Sequence, residues 1–266
     1  MRLSFIGGGV MAEAMIRGIL RERAADPRDI SVSDILRERL EFLQREFGIS
    51  PASDNIAAAC EGDVVILAVK PQVLREVMEE LRGKIRGEKL VLSIVAGAPI
   101  KLLQSGLEHP LIIRAMPNLP AQIGEGVTVW TAAEAVDSQK REIARRILRG
   151  LGEEIYVPDE EYVEMATAIS GSGPAFLALV LESLIDAGVH LGLPLEIARK
   201  LAMRTALGTF RILKERDLKP EELRRMVSSP GGTTVEGILQ LEERGVRGAF
   251  IRAALAAYEK SKRLIW

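Results

Sequence analysis

Residues 3–12 read LSFIGGGVMA, an apolar run that ends at three consecutive glycines. The run Leu3–Ile6 predicts a strand, and the stretch Val10–Arg23 predicts a helix. Between them, Gly7–Ala12 fits the pattern G-x-G-x-x-A, whose first glycine permits a tight turn and whose second lets a pyrophosphate approach the backbone. A glycine triplet taken alone is also typical of a flexible turn. Its place between a strand and a helix favours a dinucleotide-binding turn.

The first half of the chain repeats this strand–helix order, which predicts βαβ units in an open parallel sheet. Its continuous β-branched runs are typical of strands buried on both faces. The alternating pattern of Gly126–Thr131 predicts a strand nearer the edge of the sheet. Further strands are predicted at Ile30–Ser33, Val64–Val69, Leu90–Val95 and Leu111–Ala115, and helices at Leu36–Phe47, Val73–Leu81 and Ser138–Leu151.

After Pro158 the composition changes, because Ala, Leu, Glu and Arg dominate and no β-branched run follows. The predicted fold is therefore α/β, with a Rossmann-type dinucleotide-binding domain over residues 1–157 and an all-helical domain over residues 158–266. Helices of the second domain are predicted at Asp159–Ile169, Pro174–Leu191, Leu195–Lys214, Pro220–Val227, Thr233–Gly245 and Val246–Arg263.

The helix predicted at Pro174–Leu191 is apolar on nearly every side. Such a helix needs burial all around it, and the remaining helices of one chain do not supply that easily. A second subunit would cover it, which predicts a homo-oligomer. A central helix in a monomeric bundle is the alternative.

Composition and charge argue against several classes of function. Among 266 residues, Lys and Arg total 36 against 37 acidic residues, and aromatic residues make up 4%. A net charge of −1 attracts no polyanion, and few rings can stack on bases, so we expect no nucleic-acid or membrane partner. The apolar start ends at Gly7, and the stretch Pro174–Leu181 is short for a bilayer. A soluble, cytoplasmic protein is therefore expected.

Cysteine and histidine are scarce in this chain. The single Cys60 excludes an internal disulfide, and the two histidines, His109 and His190, are far apart in sequence. We therefore predict no metal site, structural roles for both histidines and a packed position for Cys60 in an alanine-rich helix.

A carboxylate follows the second predicted strand. Asp34 lies about 20 residues after Ala12, where an acidic side chain commonly accepts hydrogen bonds from the adenosine ribose of NAD. The same charge would repel the 2′-phosphate of NADP, and Arg37 is close enough in sequence to offset it. Asp34 could also cap the next helix. The choice between NAD and NADP therefore stays open.

Polar or small residues follow three further strands, at the edge of an α/β sheet where ligands bind. Lys70, in the run 68–71, adds a positive charge. Asn118, in the run 114–120, adds an amide, and the run 94–97 adds small residues. Prolines that only end strands, and a solvated lysine, are the alternative. Three strand ends of this kind at one edge of the sheet favour a ligand-binding site.

Two glycine-rich segments interrupt the helical half, each just before a predicted helix. They are Ser170–Ala175 (SGSGPA) and Ser228–Thr234 (SSPGGTT). Backbone N–H groups and hydroxyls in such loops suit a carboxylate. Interhelical turns with Ser or Thr caps are the alternative, but they need only one glycine and one hydroxyl. The two glycines and four hydroxyls of Ser228–Thr234 favour a binding loop.

Five of these segments, in this order and spacing, resemble those of pyrroline-5-carboxylate reductases. The resemblance covers essentially the whole chain. It implies an NAD(P)H-dependent oxidoreductase that transfers a hydride to the C=N carbon of 1-pyrroline-5-carboxylate and gives L-proline, the last step of proline biosynthesis. A protonated imine is already electrophilic, so this reaction suits a chain that is poor in histidine and has hydroxyl and amide loops. The five segments are Gly7–Ala12, Ala68–Pro71, Arg114–Pro120, Ser170–Ala175 and Ser228–Thr234.

The resemblance also implies which residues line the site. Thr234 is expected near the ring nitrogen as the catalytic residue. Substrate binding is expected to involve Thr234 together with Glu160, Ser229, Gly231, Gly232 and Thr233. Contacts to the reduced cofactor, NADP or NAD, are expected from Ile6, Gly7, Gly8, Gly9, Val10, Met11, Asp34, Asn55, Ala68, Val69, Lys70, Pro71 and Ala96.

The family's assembly and two sequence departures complete these expectations. Family members form intertwined helical dimers, often stacked into rings such as decamers, which agrees with the apolar helix. NADPH is the family's usual donor, but members that favour it often have a small hydroxyl residue in place of Asp34, so NADH use is expected to rise here. Met226 replaces an asparagine that lies near the cofactor in some members.

Two other functions remain open at the level of sequence. A β-hydroxyacid-dehydrogenase-like oxidoreductase would need a catalytic lysine in a glycine-framed setting, which Lys200 and Lys214 do not have. A non-catalytic dinucleotide-binding protein would keep the glycine turn but would have no need for the Ser228–Thr234 loop.

Overall fold

The apolar runs of the first half form one 8-stranded sheet in the computed structural model, which describes residues 1–263. The strands are β1 (Leu3–Ile6), β2 (Ile30–Ser33), β3 (Ser50–Pro51), β4 (Val64–Leu67), β5 (Leu90–Ser93), β6 (Ile112–Met116), β7 (Gly126–Ala132) and β8 (Gly152–Tyr156). The helices are α1 (Val10–Arg21), α2 (Arg37–Phe47), α3 (Asn55–Glu61), α4 (Leu74–Leu81), α5 (Ile100–Leu107), α6 (Ser138–Arg149), α7 (Glu161–Ala166), α8 (Gly173–His190), α9 (Leu195–Glu215), α10 (Pro220–Met226), α11 (Thr233–Glu243) and α12 (Val246–Lys262).

The strands follow the order β3-β2-β1-β4-β5-β6-β7-β8. Strand β1 pairs in parallel with β2 on one side and with β4 on the other. Every residue of β1, β4 and β5 is buried, as predicted for strands covered on both faces. The order of the strands reverses between β1 and β4, and folds of this class bind their ligands at that point.

The far side of the sheet differs from the predicted parallel arrangement. Strand β7 runs antiparallel to β6, and β8, which is absent from the predicted strands, lies parallel to β7 at the edge. The sequence pattern does not predict β8, because Glu153 and Glu154 interrupt its apolar residues. One of them, Glu154, accepts a 2.7 Å hydrogen bond from the buried indole of Trp130. Helix α5 and the two-residue strand β3 are also absent from the predicted elements.

The chain folds into two compact units. One comprises Met1–Gly171 together with residues 257–263, and the other comprises Ser172–Ala256. The second unit is helical, as predicted from its composition. The domain boundary at residues 157/158 stays a prediction.

The predicted interruption at Ser170–Ala175 is wrong. Thr167–Gly171 forms a π-helical turn directly before α8, and Glu161–His190 is one helical run. This run is long and apolar enough to cross a membrane by length and composition alone, and only 6% of its most apolar part is buried within the chain. The stretch Pro174–Leu181 is shorter than this apolar run, because Gly171 and Gly173 continue the helical run instead of ending it.

Helix α8 leaves most of its apolar surface uncovered by its own chain. It packs against α9 where Gly188 approaches Ala198, since a Cβ at Gly188 would lie 2.8 Å from the Cβ of Ala198. Gly188 is the buried residue of α8 among the residues described, whereas Leu179 and Leu184 are 62% and 51% exposed. The unit Ser172–Ala256 therefore has an apolar surface in need of a partner.

Helices α1 and α6 approach each other through glycines. A Cβ at Gly18 would overlap the carbonyl oxygen of Gly150, and a Cβ at Gly150 would lie 2.7 Å from the carbonyl carbon of Gly18. Both distances are shorter than van der Waals contact. The helix after the glycine turn can therefore reach its place against the sheet only with glycine at these positions.

We predict that Gly18→Ala lowers the free energy of unfolding by about 1–3 kcal/mol, because the added methyl group must displace α6. Gly237→Ala on α11 is the control, since its Cβ would meet no atom of the chain within 4 Å. That substitution is expected to leave stability unchanged or to raise it slightly. Urea unfolding at one fixed protein concentration measures both. Equal free energies of unfolding for Gly18→Ala and Gly237→Ala would contradict the close contact between Gly18 and Gly150.

Candidate active site

The glycine turn between β1 and α1 lies between the ends of β2 and β4, the two strands that flank β1. Gly7 has a φ of +98°, which favours glycine, and its N–H donates to the carbonyl oxygen of Ser33 at 2.8 Å. On its other side, a Cβ at Gly7 would lie 2.8 Å from the carbonyl oxygen of Ala68. The turn therefore fits between β2 and β4 only without a side chain at this position.

The second and third glycines immediately precede α1. Gly9 precedes the helix, no side chain caps the end, and a Cβ at Gly9 would meet nothing within 4 Å among residues 1–263. The first N–H groups of a helix have no partners within the helix and attract phosphates. Val10 is 59% exposed on the same turn. This open, capless end fits the pyrophosphate of a dinucleotide.

Asp34 lies directly beside this turn. Its Oδ2 accepts a 2.7 Å hydrogen bond from the N–H of Gly8, and its Oδ1 accepts a 2.8 Å bond from the N–H of Leu36. Helix α2 begins only at Arg37, so Asp34 stabilises the loop before the helix and does not cap the helix itself. A carboxylate has lone pairs for further donors, so these bonds orient it while leaving room for ribose hydroxyls.

The expected counter-charge, Arg37, points elsewhere. Its Nε donates to Glu41 at 2.9 Å, and its side chain is 90% exposed. Arg39 is the arginine that contacts the turn, through the carbonyl oxygens of Gly8 and Gly9. Sequence spacing alone does not indicate Arg39, because the position of α2 against the turn decides which of its arginines reaches the backbone.

The other predicted cofactor residues follow the same edge of the sheet. The register aligns Ile6 with Ser33 on β2 and with Leu67 on β4, so the segments after these strands start side by side. Asn55 begins α3, and its side-chain oxygen accepts a 2.7 Å hydrogen bond from the hydroxyl of Ser33. Lys70 is exposed, and Ala96 is half-buried after β5. These residues therefore follow the carboxyl ends of neighbouring strands, and their contacts with a cofactor stay a prediction.

A buried arginine in the middle of β6 holds Glu160. The guanidinium of Arg114 is 4% exposed and contacts Glu160 at 2.8 Å and Glu164 at 2.6 Å. The N–H of Ile100 also donates to Glu160, at 2.8 Å, and both bonds end on Oε1. Glu160 therefore anchors the start of α7 to the sheet. Its predicted contact with the substrate is untested by these bonds.

Asn118 has a structural role beside this network. Its side-chain oxygen accepts a 2.9 Å hydrogen bond from the N–H of Val127, and its side-chain nitrogen donates to the carbonyl oxygen of Ser170 at 3.1 Å. The hydroxyls of Thr167 and Ser170 donate to backbone carbonyls one turn earlier. Of the two hydroxyls in the predicted loop Ser170–Ala175, that of Ser170 is thus engaged within the π-helical turn.

The second glycine-rich loop has the form predicted for it. Residues 227–232 connect α10 to α11, Gly231 has a φ of +68°, and a Cβ at Gly232 would lie 2.5 Å from the Oγ of Ser229. No side chain caps α11, so the first-turn N–H groups at Thr233 and Thr234 are available to an acceptor. Within its unit, the loop suits a carboxylate.

Neither cysteine nor histidine forms a reactive cluster in the described part of the chain. No group of three or more His, Cys, Asp or Glu side chains in residues 1–263 could hold a metal ion. His109 is buried, and its Nε2 lies 2.7 Å from the carbonyl oxygen of Lys89. Cys60 is exposed on α3, so its predicted packed position is wrong, because the buried face of that helix carries Ala58 and Ala59.

Comparison with known proteins identifies relatives along the whole chain. A family profile described as "Pyrroline-5-carboxylate reductase dimerisation" matches residues 160–264, and one described as "NADP oxidoreductase coenzyme F420-dependent" matches residues 2–97. The pyrroline-5-carboxylate reductase of Synechocystis sp. is 42% identical over 263 residues, which cover 99% of this chain and 98% of the relative.

Solved structures agree with this match. A pyrroline-5-carboxylate reductase from Coxiella burnetii has a TM-score of 0.92 at 37% identity, covering 100% of this chain and 98% of the other. A pyrroline carboxylate reductase from Plasmodium falciparum, solved with NADP bound, has a TM-score of 0.88 at 30% identity, covering 99% and 98%.

We predict that Arg114→Met lowers the free energy of unfolding by about 3 kcal/mol, because it leaves the nearly buried Glu164 and the part-buried Glu160 without their cation. Arg82→Met is the control, since Arg82 contacts Glu108 at 3.3 Å on the surface, where the two side chains are 57% and 60% exposed. Such exposed pairs contribute less than about 1 kcal/mol. Urea unfolding of both variants tests this, and equal losses would show that the Arg114 network is not a buried anchor.

Proposed function

We propose a reaction for this chain from one premise: the chain belongs to the pyrroline-5-carboxylate reductase family. It reduces the C=N bond of 1-pyrroline-5-carboxylate with a hydride from NAD(P)H and yields L-proline, the final step of proline biosynthesis. The observation that carries this proposal is the length of the match, which covers 99% of the chain and so includes both the glycine turn and the Ser228–Thr234 loop. A β-hydroxyacid dehydrogenase or a non-catalytic binder is not favoured by that match.

The turn after β1 fits a nicotinamide dinucleotide. The N-terminus of α1 would hold the pyrophosphate, and Asp34 would accept hydrogen bonds from the adenosine ribose. Asn55, the run 68–71 and Ala96 would line the rest of the cofactor along the edge of the sheet. When bound, the reduced cofactor supplies the hydride. We propose that Asp34 raises the use of NADH relative to NADPH, because Arg37 and Arg39 are each paired with a glutamate.

The substrate is proposed to bind at the Ser228–Thr234 loop. Its carboxylate would accept hydrogen bonds from the N–H groups at the start of α11, with Ser229, Gly231, Gly232 and Thr233 around it. The hydroxyl of Thr234 would contact the ring nitrogen and so orient the imine. A protonated imine needs no general base, so correct placement of the carbon for hydride attack supplies much of the rate. A further contact from Glu160 stays a prediction.

The assembly is proposed to be a homodimer at least. Apolar side chains of α8 such as Leu177 and Leu184 are about half exposed in one chain, and the dimerisation profile covers this helix. A second subunit would cover them, so a partner chain, not a bilayer, would bury the apolar run Glu161–His190. We propose a cytoplasmic enzyme. Stacking of dimers into a decamer stays a prediction.

The proposed reaction is tested by mixing the purified protein with 1-pyrroline-5-carboxylate and NADH or NADPH. Nicotinamide absorbance is expected to fall as proline appears in equal amount. Absence of proline with both cofactors would discard the reaction.

We predict that Thr234→Val lowers kcat/KM for 1-pyrroline-5-carboxylate by roughly 10- to 100-fold, because the isosteric methyl group cannot hydrogen-bond the ring nitrogen. The Kd for NADH, measured by fluorescence titration, is expected to stay within about twofold, because the cofactor binds elsewhere. Normal turnover by Thr234→Val would mean that the substrate loop is assigned wrongly.

We predict that Asp34→Ser raises the NADPH-to-NADH ratio of kcat/KM by roughly fivefold or more, because it removes the repulsion between Asp34 and the 2′-phosphate. Asp29→Ser is the matched control, since Asp29 precedes the opposite end of β2. It is expected to leave the ratio unchanged. Repeating both assays at 0.5 M salt should shrink the shift through screening. An unchanged ratio in Asp34→Ser would show that Asp34 only stabilises its loop.

A further inference from the structure

Arg39 contacts the glycine turn more closely than any other cation in residues 1–263. Its Nε donates to the carbonyl oxygen of Gly8 at 2.5 Å, and its Nη2 lies 3.4 Å from the carbonyl oxygen of Gly9. Its guanidinium carbon lies 4.9 Å from the centre of the Phe42 ring. These contacts come from α2, so they connect one helix to the turn that begins another.

The backbone of Gly8 is therefore held on both sides. Asp34 accepts from its N–H at 2.7 Å, and Arg39 donates to its carbonyl oxygen. A glycine has the widest choice of backbone conformations, so a turn of three glycines loses the most entropy when it is ordered. The two side chains fix the peptide planes on either side of Gly8 before any ligand binds, which lowers the cost of binding.

Arg39 itself is held in place by Glu13. The two side chains are 23% and 22% exposed and form a 2.5 Å ion pair, and Glu13 also accepts a bond from Arg17 at 3.1 Å. Burial raises the pKa of Glu13, but the hydrogen bonds from Arg39 and Arg17 outweigh that effect, and its pKa lies below the ordinary value. Glu13 is thus ionised at neutral pH and neutralises Arg39.

We propose that Arg39 is a positioning residue for the cofactor, which fixes the Gly8–Gly9 backbone in the form that receives the pyrophosphate. The inference rests on the proposed binding of a nicotinamide dinucleotide. Because Glu13 neutralises Arg39 and its donors point at backbone carbonyls, Arg39 acts on the part of the cofactor that NADH and NADPH share. Its loss weakens the binding of both cofactors equally and leaves the preference between them unchanged.

The test compares Arg39→Met with Arg37→Met in the full-length protein. Both substitutions remove one positive charge from the first turn of α2, but Arg37 bonds Glu41 and makes no contact with the turn among the described residues. Fluorescence titration with NADH and with NADPH gives the Kd values. Arg39→Met is expected to raise both Kd values by about tenfold or more, whereas Arg37→Met leaves them within about twofold.

Two further measurements separate positioning from a general loss of structure. The kcat of Arg39→Met at saturating NADH, and its KM for 1-pyrroline-5-carboxylate, are expected to stay near the wild-type values. Arg39→Lys is expected to restore binding in part, because an ammonium can donate to the Gly8 carbonyl but lacks the second arm of the guanidinium. If Arg39→Met unfolds, Glu13→Gln replaces it, with a rise of about threefold expected in both Kd values.

Each remaining outcome overturns the inference. A Kd for NADH that is equal in Arg39→Met and wild type would show that the turn needs no support. A loss confined to NADPH would make Arg39 a ligand of the 2′-phosphate instead. Failure of the wild-type protein to bind either dinucleotide would overturn the proposed function, and the role of Arg39 with it.

Discussion

The narrow space at Gly7 constrains the rest of the first unit. Three backbone segments meet there, since the turn donates to the end of β2 and lies against the carbonyl of Ala68 after β4. Because this contact is between backbone atoms, no rearrangement of side chains can relieve it. It fixes where α1 begins and hence which edge of the sheet has free N–H groups. The position of the C-terminal half of α1 is fixed in the same way, by the close contact between the backbones of Gly18 and Gly150.

Paired charged side chains hold the connections around this sheet. Arg39 ties α2 to the glycine turn and is paired with Glu13, while Arg114 ties β6 to α7 and is paired with Glu160 and Glu164. Desolvated charges are costly when unpaired, so these guanidiniums keep their partners within hydrogen-bond distance. The planar guanidinium carries five donors on three nitrogens, so Arg39 serves the carbonyl oxygen of Gly8 and the carboxylate of Glu13 at once from different atoms.

The helical unit follows a different physical rule. Its helices α8 and α9 contact each other through small residues, Gly188 and Ala198, and leave large apolar side chains exposed. Such a surface is stable in water only when another surface covers it, which couples the stability of one chain to its association. Both this surface and the match to the dimerisation profile support the homodimer proposed for this chain.

The sequence by itself determined the features that depend only on residues close together in the chain. The glycine turn, the buried strands and the helical second half follow from residue spacing and hydrophobic pattern, and Asp34 is found because it ends a strand at the expected place. Only the tertiary structure decided what depends on neighbours distant in sequence. The antiparallel β7 and the edge strand β8 follow from pairing across the sheet. Gly171 ends a π-helical turn and Gly173 begins α8, so neither glycine ends the helical run. That Arg39 and not Arg37 reaches the turn depends on how α2 packs, because hydrogen bonds require atoms within about 3 Å and a sequence contains no such distances.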